Sequence, residues 1–275
     1  MADQLLAHPT EPSAAPAAPG ASRSVGIALD LLDAFGADVE LTVAELTRRT
    51  HVAKSSVSRT CAYLVQRGYL QRVGPGRYRL GLRLLELGHL VKIRTGLDTM
   101  AHEVLGDLAA EIGCTVHLGV PDGADVLFVE RVEPTPHVRY AGERWRRSPV
   151  HRSSCGKVLA AFLPCVLESR LKAGLPARTG YTIVVPRVLM AELDRVRERG
   201  YATNIEETAI GGASVAVPVH DPRDGEVVAA LALVVPSARL RAGEVALVAA
   251  LRRAGARLER AIGAGQLVMP GGSPT

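Results

Sequence analysis

The chain has 275 residues, is 47% hydrophobic and carries a formal net charge of +5. That length accommodates two ordinary domains with cores of their own, and no apolar run approaches the roughly 20 residues needed to cross a bilayer. The four cysteines, Cys61, Cys114, Cys155 and Cys165, form no CxxC pair and have no histidine at zinc-finger spacing, so no metal site is expected.

The opening residues, MADQLLAHPT, lack a basic n-region and a sustained apolar segment, so no secretory signal is read. A cytoplasmic location and reduced, mostly buried thiols are expected, with Cys61 in a helix core and Cys114 at a strand edge. Residues 1–21 are rich in Ala and Pro and read as a disordered tail. Ser22 or Ser24 then caps a helix in which Val25, Ala28, Leu29, Leu32 and Phe35 recur at helical spacing, with Gly36 as its stop. In the next helix Thr42 and Glu45 form a capping box, and Val43 and Leu46 give the apolar face. His51-Val52-Ala53 breaks the pattern. A further helix starts near Lys54 or Ser55, with Val57, Cys61, Leu64 and Val65 on one buried stripe.

Its other face carries Lys54, Ser55, Ser56, Ser58, Arg59 and Tyr63, small hydrogen-bonding groups and cations near a helix N-terminus. Such a set suits base edges and phosphates in a major groove. Gly68 ends the helix, and Tyr69–Val73 and Arg77–Leu80 flank Gly74-Pro75-Gly76 as a hairpin. The whole is a helix-turn-helix followed by a wing. Thr42, Lys54, Ser55, Ser56, Ser58, Arg59, Arg77 and Arg79 are its candidate DNA contacts. Charge supports this: residues 22–95 hold 12 bases and 6 acids, whereas residues 1–21 hold two acids and no base. The positive excess falls where phosphates would need it.

After the wing, residues 82–96 form a linker helix whose leucines cover more than one face. It is expected to be buried on two sides, one of them against a partner subunit. From residue 98 helices and strands alternate. A helix closes at Gly113, strands run over 115–120 and 126–132 about a Pro121-Asp122-Gly123 turn, and a basic stretch, Arg139–Arg147, holds Trp145. Ser153 or Ser154 caps a helix through Leu163. Pro164 begins another, and a further one spans Arg187–Gly200. Strands over 214–219 and 227–235 flank Asp221–Gly225, and a final helix runs from Ala242. Strands in hairpins covered by helices describe an α+β domain.

This second domain has no complete catalytic set. Gly156-Lys157 lacks the remaining residues of a phosphate loop, and Gly212-Ala213-Ser214-Val215-Ala216 lacks the second glycine of a nucleophile elbow. Glu206 and Glu207 are adjacent and diverge in direction. His117, within an apolar strand, reads as a satisfied core or pocket histidine rather than a ligand. His151 beside Ser153 and Ser154 suggests a hydroxyl–imidazole pair, but a serine-lined helix start equally binds a small anion through backbone amides. Binding is favoured over catalysis, and no cofactor is expected. A redox response through Cys155 or Cys114 is a further alternative, with no evident partner for either thiol.

Taken together, Leu41–Leu46, Lys54–Arg59, Gly68-Tyr69-Leu70 and Gly76–Gly88 resemble the IclR family of bacterial transcriptional regulators. So do Val116-His117-Leu118, Gly156–Ala160, Gly200-Tyr201-Ala202, Glu206-Glu207 and Ala216–Val219. The resemblance covers residues 22–265. It implies an N-terminal winged helix-turn-helix over 22–81, the linker helix, a C-terminal GAF-like effector-binding and oligomerisation domain over 97–265, and a flexible tail over 266–275. It further implies a homodimer or dimer of dimers that binds double-stranded operator DNA and responds to a small organic acid effector, with no membrane partner. The helix start at Ser153, Ser154 and Cys155 is similar to the family's carboxylate site. Asn204 and Ser214 stand where the family often has Asp and Cys. Ala232 and Val234 replace serines found in relatives that bind short polar acids, and Arg152 replaces a small residue. These differences favour a larger, less polar acid, such as an aromatic one.

Overall fold

The computed structural model describes residues 22–36, 38–134 and 147–269, arranged as two compact units that divide between Val91 and Lys92. The tail at 1–21 and the Arg139–Arg146 stretch with Trp145 lie outside the described residues.

The N-terminal unit opens with α1 (Arg23–Asp33), then β1 (Leu41–Thr42), α2 (Val43–Thr50) and α3 (Lys54–Gln66). The Thr42 hydroxyl accepts from the Glu45 amide at 3.2 Å, and Glu45 Oε2 accepts from the Thr42 amide at 2.7 Å. This capping box satisfies two donors at the start of α2 and aligns it. His51 leaves α2 in the left-handed region at φ 54°, which turns the chain into α3. Phe35, Leu31, Leu46, Val57 and Cys61 are fully buried where the three helices meet. β2 (Leu70–Gly74) and β3 (Arg77–Leu80) form the wing. Two-residue β1, too short to announce itself by alternation, pairs with β3 through Leu41–Tyr78 and makes the sheet three-stranded.

α4 (Leu82–Thr95) follows. The expected burial of this helix is absent within one chain: none of its residues is buried, and Leu82 and Leu85 are 73% and 70% exposed.

In the C-terminal unit a π-helical turn, Leu97–Ala101, leads into α5 (His102–Ile112). β4 (Thr115–Asp122), β5 (Asp125–Val132), β6 (Arg147–Pro149), β7 (Ala202–Ile205), β8 (Gly212–His220) and β9 (Val227–Pro236) build one antiparallel sheet ordered β6-β5-β4-β9-β8-β7. Between β6 and β7 come a 3-10 turn, Val150–Arg152, then α6 (Ser154–Phe162), α7 (Pro164–Ala173) and α8 (Pro186–Arg199). β6 and β7 are edge strands of three and four residues that the sequence pattern did not separate from loop. The two hairpins are joined through β4 and β9 in the middle of the sheet, a long-range pairing with no local signal.

Strand alternation sorts side chains onto two faces. Val116, Leu118, Leu231 and Leu233 face α5 and α9 (Ser237–Gly263), while Ala216, Ala230 and Ala232 lie on the face covered by α6 and α8. α9 starts five residues before the expected Ala242 and carries non-helical torsions at Gly243, where the sequence suggested a start. The tail expected to be flexible from 266 is packed as far as it is described. Leu267 and Met269 are buried and the Val268 amide donates to the Thr95 carbonyl, because their apolar side chains find the α5–α9 core.

The wing and α4 meet at Gly81, where an added Cβ would lie 2.1 Å from the Gly68 carbonyl oxygen. Gly81→Ala is therefore expected to lower the thermal midpoint of the N-terminal unit by an overpacking penalty of roughly 1–3 kcal/mol. Gly88→Ala, with open space around it inside α4, should be neutral or raise it by about 0.5–1 kcal/mol. Calorimetry on the two variants checks both.

Candidate functional site

Two surfaces carry the residues selected from the sequence. On the first, α3 begins after Ala53 and projects Lys54, Ser55 and Arg59 into solvent, with Ser56 and Ser58 half-buried beside them. Lys54 and Arg59 have no hydrogen-bond or ion-pair partner among the described residues, so both cations are available. On the wing, Arg77 lies 3.8 Å from Glu40, and Arg79 donates twice to Gln71 Oε1 at 3.0 and 2.9 Å. Thr42 stands apart: its hydroxyl also donates to Glu45 Oε2 at 2.7 Å and is used up in the capping box. Arg72 is not among the DNA contacts expected from the sequence. Its register opposite buried Tyr78 suggests the core side, but its long stem carries the guanidinium over the Tyr78 ring at 6.0 Å. With Lys54, Ser58 and Tyr78 it lines a cleft of about 580 Å³ between α3 and the wing.

The second surface is the start of α6 above the sheet. The Ser153 hydroxyl accepts from the Gly156 amide at 3.0 Å, so Ser153 is the helix cap, and its carbonyl takes the Lys157 amide. The amides of Ser154 and Cys155 are left without a partner among the described residues, as orphan donors of a first turn are. Ser154 Oγ and Ser214 Oγ share a 2.7 Å hydrogen bond, which ties the helix start to β8. Ser214 pairs with Asn204 on one side and Val234 on the other, and Ala216 pairs with Ala232, which in turn faces His117. Register thus places Asn204, Ser214, Ala232 and Val234 on one sheet face beneath α6, although they are far apart in sequence.

Their roles differ. Asn204 is 5% exposed, donates to the Arg152 carbonyl at 2.6 Å and to Thr208 at 2.9 Å, and accepts from the Glu207 amide at 3.0 Å. It is a pin rather than an open group, and Arg152 enters this network through its carbonyl. Cys155 is turned toward the sheet, with its thiol 3.5 Å from the Ala230 carbonyl, and burial pushes its pKa up strongly. That is the reverse of a reactive cysteine. Burial also pushes Cys114 up.

Lys157, one turn into α6, forms a buried ion pair with Glu207 and donates to the Thr203 carbonyl at 3.1 Å. The sequence offered no sign of this pairing beyond the presence of both residues. Burial raises the Glu207 pKa, opposed by Lys157. The expected hydroxyl–imidazole pair is not formed: His151 Nε2 sits 3.1 Å from the Pro176 carbonyl, away from both serines. His117 departs from the satisfied residue expected of it, since its Nε2 is buried without a hydrogen-bond partner among the described residues. No group of three or more metal-ligating side chains occurs among the described residues, and no described helix is long and apolar enough to cross a membrane.

Comparison with known proteins identifies the family of both units. The family model described as IclR helix-turn-helix domain matches residues 24–74, and that described as bacterial transcriptional regulator IclR C-terminal matches residues 90–260. The chain belongs to the IclR family. The HTH-type transcriptional regulator XynR of Escherichia coli is 34% identical to it over 88% of this chain and 97% of its own length. The glycerol operon regulatory protein of Streptomyces coelicolor is also 34% identical, over 84% and 92%. Among solved structures, an IclR homolog from Microbacterium hydrocarbonoxydans complexed with 4-hydroxybenzoate matches with a TM-score of 0.78 at 28% identity, covering 88% of this chain and 99% of that one. An IclR transcriptional regulator from Alicyclobacillus acidocaldarius also scores 0.78, at 25% identity over 88% and 100%. The chain is thus an IclR-type transcriptional regulator, not an enzyme, with a helix-turn-helix domain and a C-terminal effector domain.

Burial holds the imidazoles of His117 at about 3 and His151 at about 4, below their ordinary 6.5. The unfolded chain takes up protons first as pH falls, so both residues favour the folded effector domain above pH 6.5. That contribution is lost progressively from pH 6.5 down to about 4 for His151 and about 3 for His117. Urea denaturation at pH 5 should show this IclR domain weakened relative to pH 7 by on the order of 2 kcal/mol per imidazole.

Proposed function

We propose that this regulator binds double-stranded operator DNA as a homodimer, or a dimer of dimers, and that a small organic acid, an aromatic one, alters that binding. The observation that carries the effector reading is the pair of open amides at Ser154 and Cys155, set beside the Ser154–Ser214 hydroxyls and above Ala232 and Val234. A helix N-terminus with free amides favours a carboxylate, and the neighbouring methyl groups favour an apolar body over a chain of hydroxyls. The complex of a related IclR protein with 4-hydroxybenzoate supports the same ligand class.

Oligomerisation is supported by the uncovered apolar residues of the N-terminal unit. Val25 and Leu29 on α1 and Leu82, Leu85 and Leu90 on α4 are each about half or more exposed, a cost that a second copy would remove. Two-fold pairing also lets helix-turn-helix units read two half-sites about one helical turn apart. Effector binding acts by population shift: it favours one placement of the two recognition helices to the extent that the acid binds that arrangement more tightly.

On DNA, Arg59 with Ser55, Ser56 and Ser58 reads base edges, while Lys54, Arg77 and Arg79 hold phosphates. Arg59→Ala should cost roughly 1–3 kcal/mol on operator DNA and relax specificity at one position, and Lys54→Ala should weaken operator and random DNA alike. Equal losses for both variants on both DNAs would overturn this division. A thermal-shift screen against organic acids, followed by operator binding with and without each hit, tests the effector reading. Stabilisation by benzoate-type acids coupled to changed operator affinity is expected. Stabilisation by pyruvate-sized acids alone would overturn it.

A further inference from the structure

We infer that the cleft between α3 and the wing grips the sugar–phosphate backbone of one DNA strand, with Lys54 on one wall and Arg72 on the other. This rests on, and deepens, the reading of the N-terminal unit as the DNA-binding one.

Strand alternation decides which wing cation meets the cleft. In the β2–β3 hairpin Gln71 pairs with Arg79, and Arg72 pairs with Tyr78. Successive side chains point to opposite faces. Tyr78 is buried in the core formed with the helices, so Arg72 shares the face turned toward α3. Arg79 lies on the far face, where it donates twice to Gln71. A DNA strand lying between α3 and the wing therefore meets Arg72, and Arg79 reaches a phosphate only outside the cleft.

The opposite wall comes from α3, where Lys54, Ser58, Ala62 and Val65 follow one another at helical spacing. This stripe is separate from the one that carries Ser55 and Arg59. The cleft measures about 580 Å³, and neither Asp nor Glu lines it among the described residues. Two cations thus face a common space with no carboxylate to neutralise them. Their repulsion is a cost that an anion between them removes. Ala62, Val65 and Pro75 add apolar wall beside these charges. A phosphodiester chain matches that mixture, with oxygens for the cations and deoxyribose carbons for the methyl groups. Free phosphate has no apolar part to use it.

Arg72 is also held in place before DNA arrives. Its guanidinium lies 6.0 Å from the centroid of the Tyr78 ring, within reach of a cation–π contact. It has no ion-pair partner among the described residues. The ring beneath it is fixed, because Tyr78 is 4% exposed and pairs with Leu41 of β1. A planar guanidinium laid against a ring keeps its N–H edge for phosphate oxygens. A free surface arginine would lose more rotamer freedom on binding.

The test measures the affinity of the full-length protein for a mixed-sequence DNA duplex between about 50 and 200 mM salt. Arg72→Gln should weaken binding at least about tenfold, the worth of a charge-assisted contact. It should also lower the slope of log affinity against log salt by about one. Arg72→Lys should keep the wild-type slope, because the charge stays, and lose roughly twofold to fivefold with the stacking on Tyr78. In the double variant Lys54→Ala with Arg72→Gln the losses should be non-additive, as for two groups on one anion. A wild-type slope in Arg72→Gln, or additive losses in the double variant, would overturn the shared grip and leave DNA binding intact. Inorganic phosphate should compete no better than chloride at equal ionic strength. Specific displacement by phosphate would replace the backbone assignment with a free-anion site. Failure of the wild-type protein to bind any duplex would overturn the DNA-binding reading itself.

Discussion

The effector domain depends on how the start of α6 is fastened to the sheet. An added Cβ on Gly156 would lie 2.3 Å from the Val150 carbonyl oxygen, so only glycine lets the chain fold back tightly enough to place Ser153 as the cap. One residue later the Lys157–Glu207 pair joins the helix to the turn after β7, and Asn204 joins the same turn to the Arg152 carbonyl. A buried ion pair of this kind adds little net stability over an apolar pair, but it is costly to break from one side. It therefore specifies where the helix sits more than it strengthens the domain.

That fastening has a consequence for recognition. With Ser153 and Asn204 committed to internal bonds, few polar groups at the start of α6 remain: the amides of Ser154 and Cys155 and the mutually bonded Ser154 and Ser214 hydroxyls. A site with few polar groups, well separated and held in place, discriminates by position, since each misplaced polar atom of a wrong ligand leaves a buried partner unpaired. The cysteines take no part in such chemistry. Cys61 and Cys155 are packed inside with raised pKa values, and Cys165, the exposed thiol, lies at the start of α7.

The N-terminal unit works under a different constraint. Its core is small and is organised by the meeting of α1, α2 and α3, while its basic residues stay on the outside with few internal partners. Surface ion pairs such as Arg77–Glu40 are weak and salt-sensitive, so they do not prevent those side chains from turning to a phosphate. The apolar residues that α1 and α4 leave exposed are the opposite case. They are a standing cost in water that only another surface can remove.

What the residues determined by themselves was everything that local periodicity and capping decide. The Thr42–Glu45 box, the Val57–Cys61–Leu64 stripe and the hairpin about Pro75 gave the winged helix-turn-helix, and the order of short motifs gave the family. A cap at Ser153 or Ser154 and the apolar character of positions 232 and 234 were also legible there. Tertiary structure decided what depends on long-range pairing. Only the β4–β9 register brings His117 onto the face shared by Ser214 and Ala232, because pairing between strands more than 100 positions apart leaves no trace in either strand's own alternation. Only packing shows that Asn204 spends its polar atoms internally, since the same side chain could serve a partner equally well. The physical reason is common to both: periodicity records which side a residue faces, whereas a site is made by which residues face each other.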